Sequence, residues 1–334
     1  MSFKNISGHE KQIAMLKSAM AKEHLPHALL FYGIKGIGKR TTALGFAKAL
    51  NCVNGNTDAC DACISCRKTD HGNHPDVVTV QADGQFIKIN AIREIQARMK
   101  FRPLEGKKRI FLIIDADKMN GIAANALLKT IEEPSPANIL ILVTSVPHQL
   151  PPTVLSRCQH LRFNPLPDET VALFLQERLS LDAVQAQTLA ASSGGSIGKA
   201  LEMNEESFLD SRKRIIAHLS DSDWTDPAKL LSFLGDFGEE RHDILGKLDV
   251  LRSCFRDALV YKETGEKGRM VNSDCMEFIG SVAGRLSGQN ILNAISAMEK
   301  ARGAIELNAN KSLTLETMMF KVISCTTLAG DESH

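Results

Sequence analysis

Between an apolar run, His27–Tyr32, and a helix-spaced pattern, Thr41–Leu50, the chain places Gly33-Ile-Lys-Gly-Ile-Gly38-Lys39. A glycine-rich loop with a strand before it and a helix after it leaves few architectures open. It is the context of a phosphate-binding loop in a parallel α/β domain. Gly33, Gly36 and Gly38 let backbone N–H groups close around phosphate oxygens. The helix N-terminus adds partial positive charge, and Lys39 reaches the outer phosphates. Without its flanks the run would read as a glycine-rich turn carrying a surface lysine.

The alternation continues. Asp76–Val80, Arg109–Ile114 and Asn138–Val143 are short apolar runs, separated by helical patterns at Ile87–Met99 and Ala123–Glu133. Continuous apolar strands suit a sheet covered on both faces, so residues 1–165 are expected to form a three-layer α/β domain. Asn164-Pro-Leu-Pro167 reads as a linker, and every periodic segment beyond it is helical. Val171, Phe174 and Leu175 open that region, Gly194-Gly195 breaks it, and Asp226-Pro227 reads as a helix start. Ile291–Ile305 and Leu315–Ile323 carry long apolar stripes whose methionines are expected in the core. The fold class is thus α/β followed by all-α. At 334 residues and about 36.5 kDa, two or three domains are expected.

No run approaches the ~18–20 apolar residues of a membrane span, and Met1-Ser-Phe-Lys-Asn5 lacks a signal peptide's apolar core. The chain reads as cytoplasmic, with no membrane partner. Forty basic residues against thirty-nine acidic ones do not suit a protein that wraps nucleic acid by its own charge. Any DNA contact would be local or shared with partners.

Two positions around the loop depart from what nucleotide hydrolysis needs. The residue after Lys39 should carry a hydroxyl to ligate Mg²⁺, and it is Arg40. Thr41 follows, but one helical step is a rotation of about 100°, which turns its hydroxyl away. The loop can still cradle ATP or ADP. Asp115 ends the Arg109–Ile114 run, where such folds hold Mg²⁺ from its second side; the lesser alternative is a helix or turn cap after the strand. A water-activating glutamate would come next, and the residue is Ala116. Asp117, two along, would lie on the Asp115 face of an extended strand and is not accepted as a substitute base.

Four of the eight cysteines, Cys52, Cys60, Cys63 and Cys66, fall within fifteen residues as C-x7-C-x2-C-x2-C. In a reducing compartment disulfides are not expected. Four thiolates can surround one tetrahedral Zn²⁺, leaving no open position, so the expected zinc is structural. An iron–sulfur cluster fits the C-x2-C-x2-C part, but no Cys-Pro follows at ferredoxin spacing. His71 and His74 are reserve ligands. Cys254, Cys275 and Cys325 lie in helical patterns and read as core thiols.

Together these residues resemble the AAA+ clamp-loader family over nearly the whole chain. The carriers are His27-Ala-Leu-Leu-Phe31, the glycine loop, the four-cysteine insertion, His74-Pro75-Asp76 and Ile114-Asp115-Ala-Asp117-Lys-Met119. Asn125-Ala-Leu-Leu-Lys-Thr-Ile-Glu-Glu-Pro134 and Ser156-Arg157-Cys158 add the most specific matches. The resemblance implies an AAA+ P-loop domain (1–165) with the zinc insertion, a helical lid (166–206) and a C-terminal helical collar domain for oligomerisation (207–334). It implies that Arg157 acts in trans as an arginine finger on ATP held by a neighbouring subunit. From the residues alone, Arg157 could as well cap its own domain. Thr144 falls near the family's sensor position. Gly194-Gly-Ser-Ile-Gly198-Lys-Ala-Leu201 resembles the second sensor motif, with Gly198 where hydrolysing members carry arginine.

The departures at Arg40, Ala116 and Gly198 fall where hydrolysing members of the family would handle metal, water and γ-phosphate in turn. Their agreement favours a subunit that supports ATP hydrolysis without performing it. The implied partners are motor subunits of the tau/gamma type, a delta subunit, and the sliding clamp and primed DNA through the complex. An active motor subunit would show Gly-Lys-Ser/Thr and Asp-Glu, and neither is present. A free-standing zinc-dependent DNA-binding protein would show a basic stripe. The cysteines instead have Arg67 and Lys68 among Asp58, Asp61 and Asp70.

Overall fold

In the computed structural model, described over residues 2–55, 57–82, 84–205, 212–217, 233–235, 237–238, 240–266, 270–272 and 275–327, the apolar runs form one parallel sheet. Its strands are β1 (Ala28–Tyr32), β2 (Val77–Val80), β3 (Arg109–Ile114), β4 (Asn138–Thr144) and β5 (Gln159–Arg162), in the order β2-β3-β4-β1-β5. Every residue of β3 and β4 is buried, as their unbroken hydrophobicity requires.

Side chains alternate across the sheet. Ile110, Leu112 and Ile114 join Phe31, Phe46 and Phe163 in one core, covered by α1 (Glu10–Ala21) and α2 (Lys39–Leu50). Phe111 and Ile113 join Leu30, Ile92, Ile95 and Leu127 in the other, covered by α4 (Ile89–Met99) and α5 (Gly121–Glu132). Between α2 and β2 the short α3 (Ile64–Asp70) closes the cysteine insertion. Phe111 is fully buried at the sheet centre, so Phe111→Ala would cost ~3–5 kcal/mol. Tyr32 pairs with Thr144, and Ile114 with Val143. The carboxyl ends of β1, β3 and β4 are therefore level, where parallel sheets place their ligand sites.

The chain divides into two compact units: Met1–Phe174 with Gly195–Lys199, and Leu175–Gly194 with Ala200–His334. The described part of the second unit is helical, with α8 (Ala183–Ser193), α10 (Arg241–Thr264), α11 (Met276–Arg285), α12 (Gly288–Glu306) and α13 (Lys311–Thr327). α6 (Pro152–Leu155) belongs to the first unit, and the divisions of the chain fall within α7 (Asp168–Leu179) and α9 (Ile197–Glu205). Met298, Met318 and Met319 are buried, as their stripes predict, and so are Cys254 and Cys275. Asp226-Pro227 and the side chain of Cys325 lie outside the described residues.

Candidate nucleotide and metal sites

The glycine loop is tied down by its carbonyls. Lys39 Nζ donates to the carbonyls of Gly33 and Ile34, both at 2.7 Å, and to Ser145 Oγ at 3.1 Å. Ser196 Oγ donates to Lys35 O at 2.8 Å, and the Gly198 N–H to Gly36 O at 2.8 Å. His9 Nε2 donates to Ile37 O at 2.6 Å. All five carbonyls from Gly33 to Ile37 are thus engaged. Gly36 and Gly38 adopt φ of +78° and +101°, which only glycine takes without strain.

Gly36 and Gly198 also meet backbone to backbone: a Cβ on Gly198 would lie 2.8 Å from Gly36 Cα. An arginine there cannot be seated without moving the loop. His9, Ser145 and Ser196 are contacts that motif spacing did not single out. His9 and Ser145 reach the loop through the topology; Ser196 lies inside the Gly194–Leu201 motif, which was read for Gly198 and not for its serine.

Lys39 is 6% exposed, and burial pulls its pKa down to about 8 against the opposing pull of Asp115 and Asp117. Burial likewise holds His9 below the ordinary histidine range, so its ring is neutral and Nε2 carries the proton. Thr144, fully buried, donates its hydroxyl to the Asp117 carboxylate and accepts the Val146 N–H at 3.0 Å.

That contact corrects the strand-face expectation for Asp117. Asp115 turns left-handed at φ 51°, and Ala116–Lys118 coil into a 3₁₀ turn. The carboxylate of Asp117 therefore swings to β4. Asp115 is half exposed and pairs with Lys118 at 3.4 Å. Gly33, Gly36, Gly38, Lys39, Asp115 and Thr144 share the carboxyl end of the sheet. Thr41 lines a different cleft of about 340 Å³ with Arg40, Leu44, Lys48 and Asp70.

The four cysteines converge. The Sγ atoms of Cys52, Cys60, Cys63 and Cys66 all lie within 4.8 Å of one another, with Cys52–Cys63 and Cys60–Cys66 at 4.0 Å. Four sulfurs ~2.3 Å from one tetrahedral ion would be about 3.8 Å apart, so the set fits Zn²⁺. Backbone N–H groups of Cys60, Cys63 and Cys66 point at Cys52, Cys60 and Cys63 Sγ, which suits thiolates. His74 is not part of the set: its Nδ1 accepts the Asp76 N–H, and Nε2 faces Ser65 Oγ at 3.1 Å. Lys48, almost fully buried, clasps Asp61 and Asp70 and so ties the insertion to α2.

Arg157 follows α6, 41% exposed. Its guanidinium pairs with Glu132 Oε1 at 2.8 Å and donates to Thr153 O at 3.1 Å. Among the described residues no helix is long and apolar enough to cross a membrane.

Comparison with known proteins gives two family matches. The family described as DNA polymerase III, delta subunit, matches residues 8–167, and DNA polymerase III, delta subunit, C terminal, matches residues 206–323. DNA polymerase III subunit delta′ of Bacillus subtilis (strain 168) is 32% identical over 313 residues, 91% of this chain and 93% of that protein. DNA polymerase III subunit tau of the same organism is 25% identical over 346 residues, 96% of this chain and 61% of that one. DNA polymerase III subunit tau/gamma of Haemophilus influenzae is 32% identical over 213 residues, 62% of this chain and 31% of that one.

Proposed function

Since the chain belongs to the DNA polymerase III delta′ subunit family, we propose that it completes a hetero-oligomeric clamp-loader ring in the cytoplasm. Its partners there are tau/gamma-type motor subunits and a delta subunit, and the assembly places a sliding clamp on primed DNA. In this reading residues 166–206 are the lid and 207–334 the collar by which the ring assembles.

The observation that carries the division of labour is the state of the glycine loop. Lys39 is spent on its own loop's carbonyls, Arg40 stands where a metal-binding hydroxyl belongs, and Gly198 is packed on Gly36. A chain built this way contributes shape to the ring rather than hydrolysis. Cys52, Cys60, Cys63 and Cys66 hold one Zn²⁺, whose bonds join the end of α2 to α3 and do no chemistry.

Arg157 serves the neighbour. A rigid guanidinium can stabilise charge building on a γ-phosphate held by the adjoining motor subunit, and such fingers contribute ~10³–10⁵ in rate. The partial exposure of Arg157 supports this reading, because a finger must be reachable from outside. The test is clamp- and DNA-stimulated ATPase and clamp loading by the reconstituted assembly carrying Arg157→Ala, with assembly checked by gel filtration. Slower hydrolysis and loading in an intact ring are expected. Unchanged rates would leave Arg157 as a cap on its own domain.

A further inference from the structure

The guanidinium of Arg157 is held before any neighbour arrives. Nη2 pairs with Glu132 at 2.8 Å; Nη1 donates to the Thr153 carbonyl at 3.1 Å and lies 3.4 Å from Ser156 Oγ. The Thr153 and Ser156 contacts come from Arg157's own turn. Glu132 comes from elsewhere: it is the last residue of α5, twenty-five positions earlier. Its carboxylate stands at the helix's negative end, where a cation is favoured.

A guanidinium has five N–H donors on one rigid plane. These contacts occupy at most three, and the others remain to meet an anion. Glu132 and Arg157 are 48% and 41% exposed, so neither is walled off. An exposed arginine without a holder samples many rotamers, and freezing it on a phosphate then opposes the interaction. A holder on a rigid helix removes part of that cost in advance.

We propose that Glu132 is a positioning residue for Arg157, fixing the guanidinium plane so that its unused donors face the neighbouring subunit's γ-phosphate. Glu132 touches no nucleotide; it acts through the arginine. The inference rests on Arg157 being the finger, and the experiment separates the two.

The reconstituted assembly is measured with wild-type, Glu132→Gln, Glu132→Asp, Arg157→Ala and the Glu132→Gln/Arg157→Ala double variant, following ATPase kcat and KM and the clamp-loading rate. An exposed pair shifts an equilibrium by roughly 1.5- to 5-fold. Glu132→Gln should therefore slow loading by at least about 1.5-fold and up to about five-fold through kcat, leaving KM for ATP and the chain's melting temperature unchanged. Glu132→Asp, which keeps the charge, should recover part of the loss. In the Arg157→Ala background, Glu132→Gln should do nothing more. That epistasis is what a merely structural carboxylate would not give.

If Arg157→Ala slows loading but Glu132→Gln does not, positioning is overturned and the finger stands. If Glu132→Gln slows loading equally in both backgrounds, Glu132 acts by another route. If Glu132→Gln speeds loading, the pair restrains the finger instead of presenting it. If Arg157→Ala changes nothing, finger and positioning fall together.

Discussion

Asp76→Asn should lower the stability of the first unit substantially. Asp76 is fully buried at the head of β2 and pairs with Arg109, 4% exposed, at 2.9 Å and 3.0 Å. Its oxygens also accept the N–H groups of Leu104, Glu105 and Gly106 at 2.8–3.0 Å. Asparagine keeps the shape but removes the charge, and turns an amide nitrogen toward donors whichever way it flips. Breaking a buried pair from one side costs ~3–5 kcal/mol. At 2–4 °C per kcal/mol for a unit of this size, the melting temperature should fall roughly 6–20 °C.

The pH dependence gives a second check. Burial would raise the pKa of Asp76, but the Glu105, Gly106 and Leu104 N–H groups and Arg109 outweigh it and hold the carboxyl below its usual range. A depressed carboxyl contributes stability above its unfolded pKa of ~3.9 and loses it as pH falls through the folded value. The gap between wild type and variant should be full at pH 7 and should close in strong acid. Calorimetry across that range measures it, with Lys68→Ala, which breaks the exposed Lys68–Glu105 pair, as the near-neutral control. β3 separates this knot from the glycine loop by about 20 Å, so nucleotide affinity should not change. A melting temperature within 2 °C of wild type at pH 7 would refute the reasoning.

The isolated chain should turn over ATP far below the ~1 s⁻¹ of slow enzymes. Any ADP or tripolyphosphate affinity, read by calorimetric titration, should weaken as pH rises through about 8, because Lys39 then loses its proton; a flat profile would contradict this. Purified without added metal, the chain should contain one zinc by elemental analysis, and Cys63→Ser should lose it and loosen residues 52–70, since metal binding and local folding are coupled. Gly198→Val forces a side chain toward Gly36 Cα and should cost ~1–3 kcal/mol. Hydrogen exchange at residues 33–38 should quicken; unchanged exchange would mean the loop yields without strain.

The buried strands were readable because strands covered on both faces are continuous apolar runs. β5 was not, because only Leu161 of its four residues is buried and the others sit exposed on the sheet edge. The residues of the glycine loop and the four cysteines are local in sequence, so spacing revealed them. His9, Ser145, Ser196 and Glu132 are brought to their partners by crossovers between distant segments, which no spacing encodes. Asp117 was misplaced for a different reason: a left-handed turn at Asp115 and the 3₁₀ turn after it break the strand alternation that would have put Asp117 on the Asp115 face. His74-Pro75-Asp76 could be recognised from sequence, but its role as a buried electrostatic knot depends on Arg109 and a loop thirty residues away.

The apposition of Gly36 and Gly198 also bears on where mutation can take this chain. Any side chain added at 198 collides with the backbone of 36, and one added at 36 collides with Ser196. On the proposed function, hydrolysis would call for a hydroxyl at 40, an acid at 116 and an arginine at 198, and the last requires the loop to move first. The step at 198 should cost stability whatever stands at 40 and 116. Two glycines in contact thus act as a latch: neither position can gain a side chain unless the loop and its neighbour shift together.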